Sequence, residues 1–95
     1  MPEKILIIED EDVLGKAYQM ILEDFYDVKW VMTAEKGEEL VNFFQPDLIL
    51  LDHGLPAPGK NGITAIPHLK KCFPDAKIII FSNYDKLVKN RKKYF

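Results

Sequence analysis

Two stretches of the chain, KILII at 4–8 and DLILL at 47–51, are aliphatic without interruption after their first residue, and each runs directly into a carboxylate. Continuous aliphatic runs of this length fit strands covered on both faces. Between them, Leu14, Ala17, Tyr18, Ile21 and Phe25 recur at helical spacing and predict an amphipathic helix over 12–25. DVKWVM at 27–32 alternates and is β-rich, a second strand. Thr33 is placed to cap the next helix, whose Gly37, Leu40, Val41 and Phe44 share one face before Pro46 ends it. HGLPAPGKNG at 53–62 carries three glycines and two prolines and reads as a loop. A third helix follows over 63–72, where Pro67 is tolerated only in about the first turn, since amide hydrogens there lack an intrahelical acceptor. KIII with Phe81, at 77–81, is the fourth strand. Beyond it Tyr84, Leu87, Val88, Arg91 and Phe95 trace one face of a last helix, with Ser82 or Asn83 as cap.

Strand and helix thus alternate four times. This order predicts an α/β domain, 1–95, with a parallel sheet covered on both faces and right-handed crossovers. In such sheets chemistry gathers beyond the carboxyl ends of the strands, where strand order reverses. Glu9 with Asp10, Asp52 and Ser82 all stand at strand ends of this kind.

Charge sharpens the picture. Residues 1–47 carry 12 acidic and 4 basic side chains, whereas 48–95 carry 3 acidic and 9 basic. Lys86, Lys89, Arg91, Lys92 and Lys93 crowd the final ten positions, a run read as a solvated helix face rather than a nucleic-acid patch. One cysteine, Cys72, makes neither an intramolecular disulfide nor a cysteine-based zinc site and reads as a packed small hydrophobe. His53 and His68 lie on different elements without partner ligands. No apolar run approaches a membrane span and the first residues do not read as a secretory signal, so a cytoplasmic domain is the expectation.

Acidic residues at successive strand ends repel one another, by roughly 4 kcal/mol per pair at 4 Å and an effective dielectric near 20. A hard divalent cation offsets this, and Mg²⁺ favours a few carboxylates completed by water and phosphate oxygens. A phosphoryl group in transfer needs the same neutralisation. Asp52 could be the nucleophile, forming an aspartyl phosphate, with Ser82 donating a hydrogen bond to a phosphoryl oxygen. The bland alternative, that such acids merely cap helices, suits Asp12 and leaves Glu11 solvated; it does not account for Glu9, Asp10, Asp52 and Ser82 together.

ILIIEDEDVLGKAYQMIL, DLILLDHGLP followed by NGI, and KIIIFSN together resemble the receiver domain of two-component response regulators, in order over the whole chain. The resemblance implies a flavodoxin-like (CheY-like) three-layer α/β/α fold with strand order 2-1-3-4, the family's fifth strand and helix falling beyond Phe95. It implies Asp52 as phosphoacceptor, Asp10 as a direct Mg²⁺ ligand, Glu9 holding the ion through water, the Gly54 backbone carbonyl as a further ligand, and Ser82 as the switch hydroxyl. The phosphodonor would be a sensor histidine kinase or phosphotransfer protein, and the chain would be an acceptor with at most self-catalysed transfer and hydrolysis. The sequence departs from the family at Gly54 and Asn83, in the longer LPAPGKNG loop, and in having no counterpart within its 95 residues to the lysine and aromatic of the family's fifth strand. Two other readings compete. One is a receiver-type interaction module that does not switch. The other is a haloacid-dehalogenase-type phosphatase fragment with Asp10 as nucleophile and Asp12 as acid/base, which leaves Asp52 unexplained. The fourth strand is also expected to present a sheet edge through which, with the last helix, copies self-associate.

Overall fold

The computed structural model describes residues 3–52 and 62–81. Four strands, β1 (Lys4–Ile8), β2 (Asp27–Val31), β3 (Leu48–Asp52) and β4 (Lys77–Phe81), form one parallel sheet in the order β2-β1-β3-β4. Three helices, α1 (Asp12–Leu22), α2 (Ala34–Glu38) and α3 (Gly62–Cys72), connect them. The predicted order and parallel sense are those observed. The expected last helix, and the loop over 53–61, lie outside the described residues.

Period-two alternation divides the sheet into two faces. Ile5 and Ile7 with Val28 meet Tyr18 and Leu22 of α1 on one side. Leu6, Ile8, Ile49 and Leu51 meet Ala34 of α2 and Ala65 and Leu69 of α3 on the other, together with Phe44 and Phe73. Helix α1 therefore leaves β1 toward one face, and α2 and α3 cross on the opposite face, as right-handed connections require when the chain turns first one way and then the other along the sheet. Cys72 packs against the α2–α3 side, as expected of a small hydrophobe.

At the amino-terminal rim Asp47 fastens three strands. Its N–H donates to the Lys4 carbonyl at 2.8 Å, its Oδ2 accepts from the Lys4 N–H at 2.9 Å, and its carbonyl accepts from the Lys77 N–H at 3.0 Å. Asp47 thus precedes β3 rather than opening it, and the strand extends to include Asp52.

The helices depart from expectation in informative ways. Helix α1 ends at Leu22, whose carbonyl accepts from both Phe25 and Tyr26 N–H. Ile21 and Phe25, predicted on the buried face, are 65% and 72% exposed. The line of closest approach instead runs through Gly15, Tyr18 and Leu22, because Gly15 lies directly against the Trp30 indole. In α2, Thr33 caps as predicted, its Oγ1 accepting from the Lys36 N–H at 3.1 Å. Past Glu38 the chain tightens into i→i−3 bonds, Leu40 to Gly37 and Val41 to Glu38, so the regular helix is short although Gly37 and Phe44 remain buried. Pro67 is the sixth residue of α3, beyond the first turn. It has no N–H to offer the Ile63 carbonyl, a loss confined to one bond near the helix start on the exposed side.

Strand β4 pairs with β3 and, among the described residues, with no other strand. Its Ile79 and Ile80 are 51% and 41% exposed, unlike the aliphatic residues of β1. On the α1 side a groove of about 310 Å³ runs between Tyr18, Ile21 and Leu22 of α1 and Leu50 and Phe81 of the sheet. The Tyr18 and Phe81 rings meet edge to face there at 5.5 Å.

Candidate functional site

The register of the central strands places the acids. Ile8 pairs with Leu51, so one further residue along each chain brings Glu9 beside Asp52. Both continue the phase of the α1-side residues, Ile5 and Ile7 in one strand and Leu48 and Leu50 in the other. The chain leaves β1 toward one face and leaves β3 toward the other, which opens a crevice at their carboxyl ends.

Glu9 and Asp52 are fully buried and Asp10 is half-buried, and one carboxylate oxygen from each comes within 4.8 Å of the others. The Glu9 main chain is held twice from β2. Its N–H donates to the Val31 carbonyl at 3.0 Å, and its carbonyl accepts from the Trp30 indole N–H, also at 3.0 Å. The Glu9 Oε2 accepts a longer bond, 3.4 Å, from the Glu11 N–H. Glu11 is half-buried rather than solvated and occupies the cap position of α1 without a side-chain cap bond. Asp12 is the first helical residue, exposed, and supplies negative charge to the first turn instead of capping it.

Three hard oxygen donors at this spacing, two of them withdrawn from water, are a donor set that suits Mg²⁺ or Ca²⁺ rather than a soft transition metal. Asp12, needed by the phosphatase reading, stands outside the cluster, whereas Asp52, which that reading left unexplained, is inside it. Gly54, Ser82, Asn83, His53, Lys60 and Lys86 lie outside the described residues. His68, on α3, is exposed. The alternation of 27–32 marks a strand but does not by itself reveal the part played by Trp30. Gly15 was the available signal: a glycine one turn into an amphipathic helix costs about 1 kcal/mol against alanine and calls for a close neighbour.

Residues 5–94 match the response regulator receiver domain family. The chain belongs to that family. As a receiver domain it is a module of two-component signalling, in which such domains interact with sensor kinases or phosphotransfer proteins. It is 38% identical over 85 residues to the oxygen regulatory protein NreC of Staphylococcus carnosus (strain TM300), an alignment covering 86% of this chain and 39% of that protein. The receiver domain thus spans well under half the length of this relative. Among solved structures it resembles a CheY-like response regulator receiver domain protein from Methanospirillum hungatei JF-1, with a TM-score of 0.77 and 27% identity over 88% of this chain and 66% of the other. A response regulator from Burkholderia pseudomallei, solved with a phosphorylated aspartic acid, a calcium ion and citrate, shares the fold at a TM-score of 0.76 and 24% identity, covering 86% of this chain and 48% of that one. The family match removes the phosphatase alternative. Among the described residues no helix is long and apolar enough to cross a membrane.

Proposed function

We propose that this receiver domain accepts a phosphoryl group on Asp52, with Mg²⁺ held by Glu9, Asp10 and Asp52. The observation that carries the reading is the convergence of these three carboxylates, two fully buried, at the carboxyl ends of adjacent central strands. A carboxylate oxygen of Asp52 attacks the phosphorus of a phosphohistidine on a sensor kinase or phosphotransfer protein. A P–O bond forms as the P–N bond breaks, and the electron pair leaves on the imidazole nitrogen. Bound Mg²⁺ would neutralise the carboxylates and the phosphoryl oxygens during transfer. By family likeness the Gly54 carbonyl would complete the ion's ligands and Ser82 would donate to a phosphoryl oxygen. The same reading makes the domain cytoplasmic and an acceptor rather than an enzyme acting on an independent substrate. Separately, copies would associate through β4 and the last helix, a reading supported by β4 pairing with β3 alone among the described residues.

Intact mass after incubation with acetyl phosphate and Mg²⁺ tests the assignment. The wild-type chain should gain one hydroxylamine-sensitive phosphoryl adduct, and Asp52→Asn should gain none while keeping its fold by circular dichroism. Equal labelling of the two proteins would refute the acceptor assignment. A wild-type chain that takes no label would favour a receiver-type interaction module.

A further inference from the structure

At Glu9 the chain leaves the sheet: β1 has ended at Ile8, and α1 begins three residues on. The Glu9 N–H still continues the sheet ladder, donating to Val31. Its carbonyl is instead met by a side chain, the Trp30 indole N–H at 3.0 Å. That indole is itself seated by α1. A Cβ on Gly15 would collide with Trp30 Cε2 and with Nε1, the nitrogen that makes this hydrogen bond. The glycine lets the helix backbone press against the donor, and the half-buried indole is confined between α1 and the turn that carries two of the three clustered acids.

We infer that Trp30 is a positioning residue for the carboxylate cluster. By fixing the Glu9 carbonyl it sets the peptide plane between Glu9 and Asp10, and with it the direction in which Asp10 leaves the strand. Cation binding at the cluster is thereby linked through the indole to the seat of α1; this second half rests on the proposed cation site, whereas the first does not.

Trp30→Phe removes the donor and keeps an aromatic body. With no divalent ion present, amide hydrogen exchange should accelerate about two- to tenfold at Glu9 and Glu11, the fold-change expected for one lost hydrogen bond, while Ile7 and Val28 stay within twofold. Calorimetric titration with MgCl₂ should show affinity weakened by a similar two- to tenfold factor. A packing role alone would instead change exchange evenly across β2 and α1 and leave affinity per folded molecule unaltered; that pattern would overturn the inference. Should the variant fold poorly, the wild-type protein supplies the second measurement. Trp30 is the chain's only tryptophan, so its indole N–H gives one resonance in a ¹⁵N spectrum. That resonance should shift on MgCl₂ addition and saturate along the calorimetric curve, and an unmoved resonance during saturation would overturn the link. A wild-type chain that binds no Mg²⁺ would sink the proposed cation site, and the exchange comparison would then decide the positioning role by itself.

Discussion

Gly15→Ala ought to destabilise this protein even though it removes a glycine from a helix interior. Intrinsic propensity favours alanine there by about 0.8–1 kcal/mol. Against that stands the Trp30 ring. The new Cβ would lie 2.5 Å from Cζ2 and closer still to Cε2 and Nε1, where ordinary contact is 3.4–4 Å. Ring or helix must therefore retreat by about an ångström or more. Overpacking of this kind costs about 1–3 kcal/mol. Displacing the indole also forfeits its bond to the Glu9 carbonyl, worth about 0.5–1.5 kcal/mol net. The balance is a loss of about 2 kcal/mol, and at about 4–8 °C per kcal/mol for a domain of this size Tm should fall by about 8–16 °C. Thermal and urea melts followed by circular dichroism measure it. The decisive comparison is the same substitution in a Trp30→Val background, where the collision is gone. There Gly15→Ala should stabilise by up to about 1 kcal/mol, a reversal of sign that only a direct Gly15–Trp30 contact produces. A Gly15→Ala single variant with a raised Tm would refute the reasoning.

The carboxylate cluster and the sheet edge give further tests. Mg²⁺ should raise Tm by mass action, with about 2.7 kcal/mol gained at one hundred times its Kd, because it binds the assembled cluster and not the unfolded chain. Asp10→Ala should abolish that response and leave the metal-free protein at least as stable; an undiminished response would place the ion elsewhere. Ile79→Lys, on the exposed part of β4 beside the apolar groove, should reduce concentration-dependent light scattering. A wild-type protein that stays monomeric at high concentration would refute association through that strand.

The strands were legible because their signal is nearly local. Ile5–Ile8 and Leu48–Leu51 are aliphatic throughout, so any packing that buries both sheet faces accepts them, and the carboxylates at their ends follow from chain direction alone. Alternating elements also made the sheet parallel, whereas its order, 2-1-3-4, came from the family resemblance alone. What escaped depends on partners distant in sequence. The rotation of α1 is set by Gly15 against Trp30, a pair invisible to helical periodicity, and so Ile21 and Phe25 were expected inside and are found outside. Helix α2 tightens into i→i−3 bonds after Glu38 while Phe44 still reaches the core, a change of pitch that the spacing of Gly37, Leu40, Val41 and Phe44 does not reveal. The acid cluster was legible as residue types at strand ends. Its second layer was not, because the indole that holds Glu9 comes from a strand whose alternation says only that Trp30 is half-buried.

Glu9 and Asp52 stand side by side although β2 and α2 both lie between them in the chain. This arrangement has a kinetic meaning. The β1-α1-β2 unit brings Glu9 and Asp10 into place, yet the third carboxylate arrives only when β3 inserts on the far side of β1, the closure of the longer loop. A cation that needs all three carboxylates therefore meets no complete site until that closure is made. If β3 docks after the rate-limiting step, bound cation leaves the folding rate untouched and slows unfolding alone, so that occupancy lengthens the lifetime of the native state rather than speeding its formation.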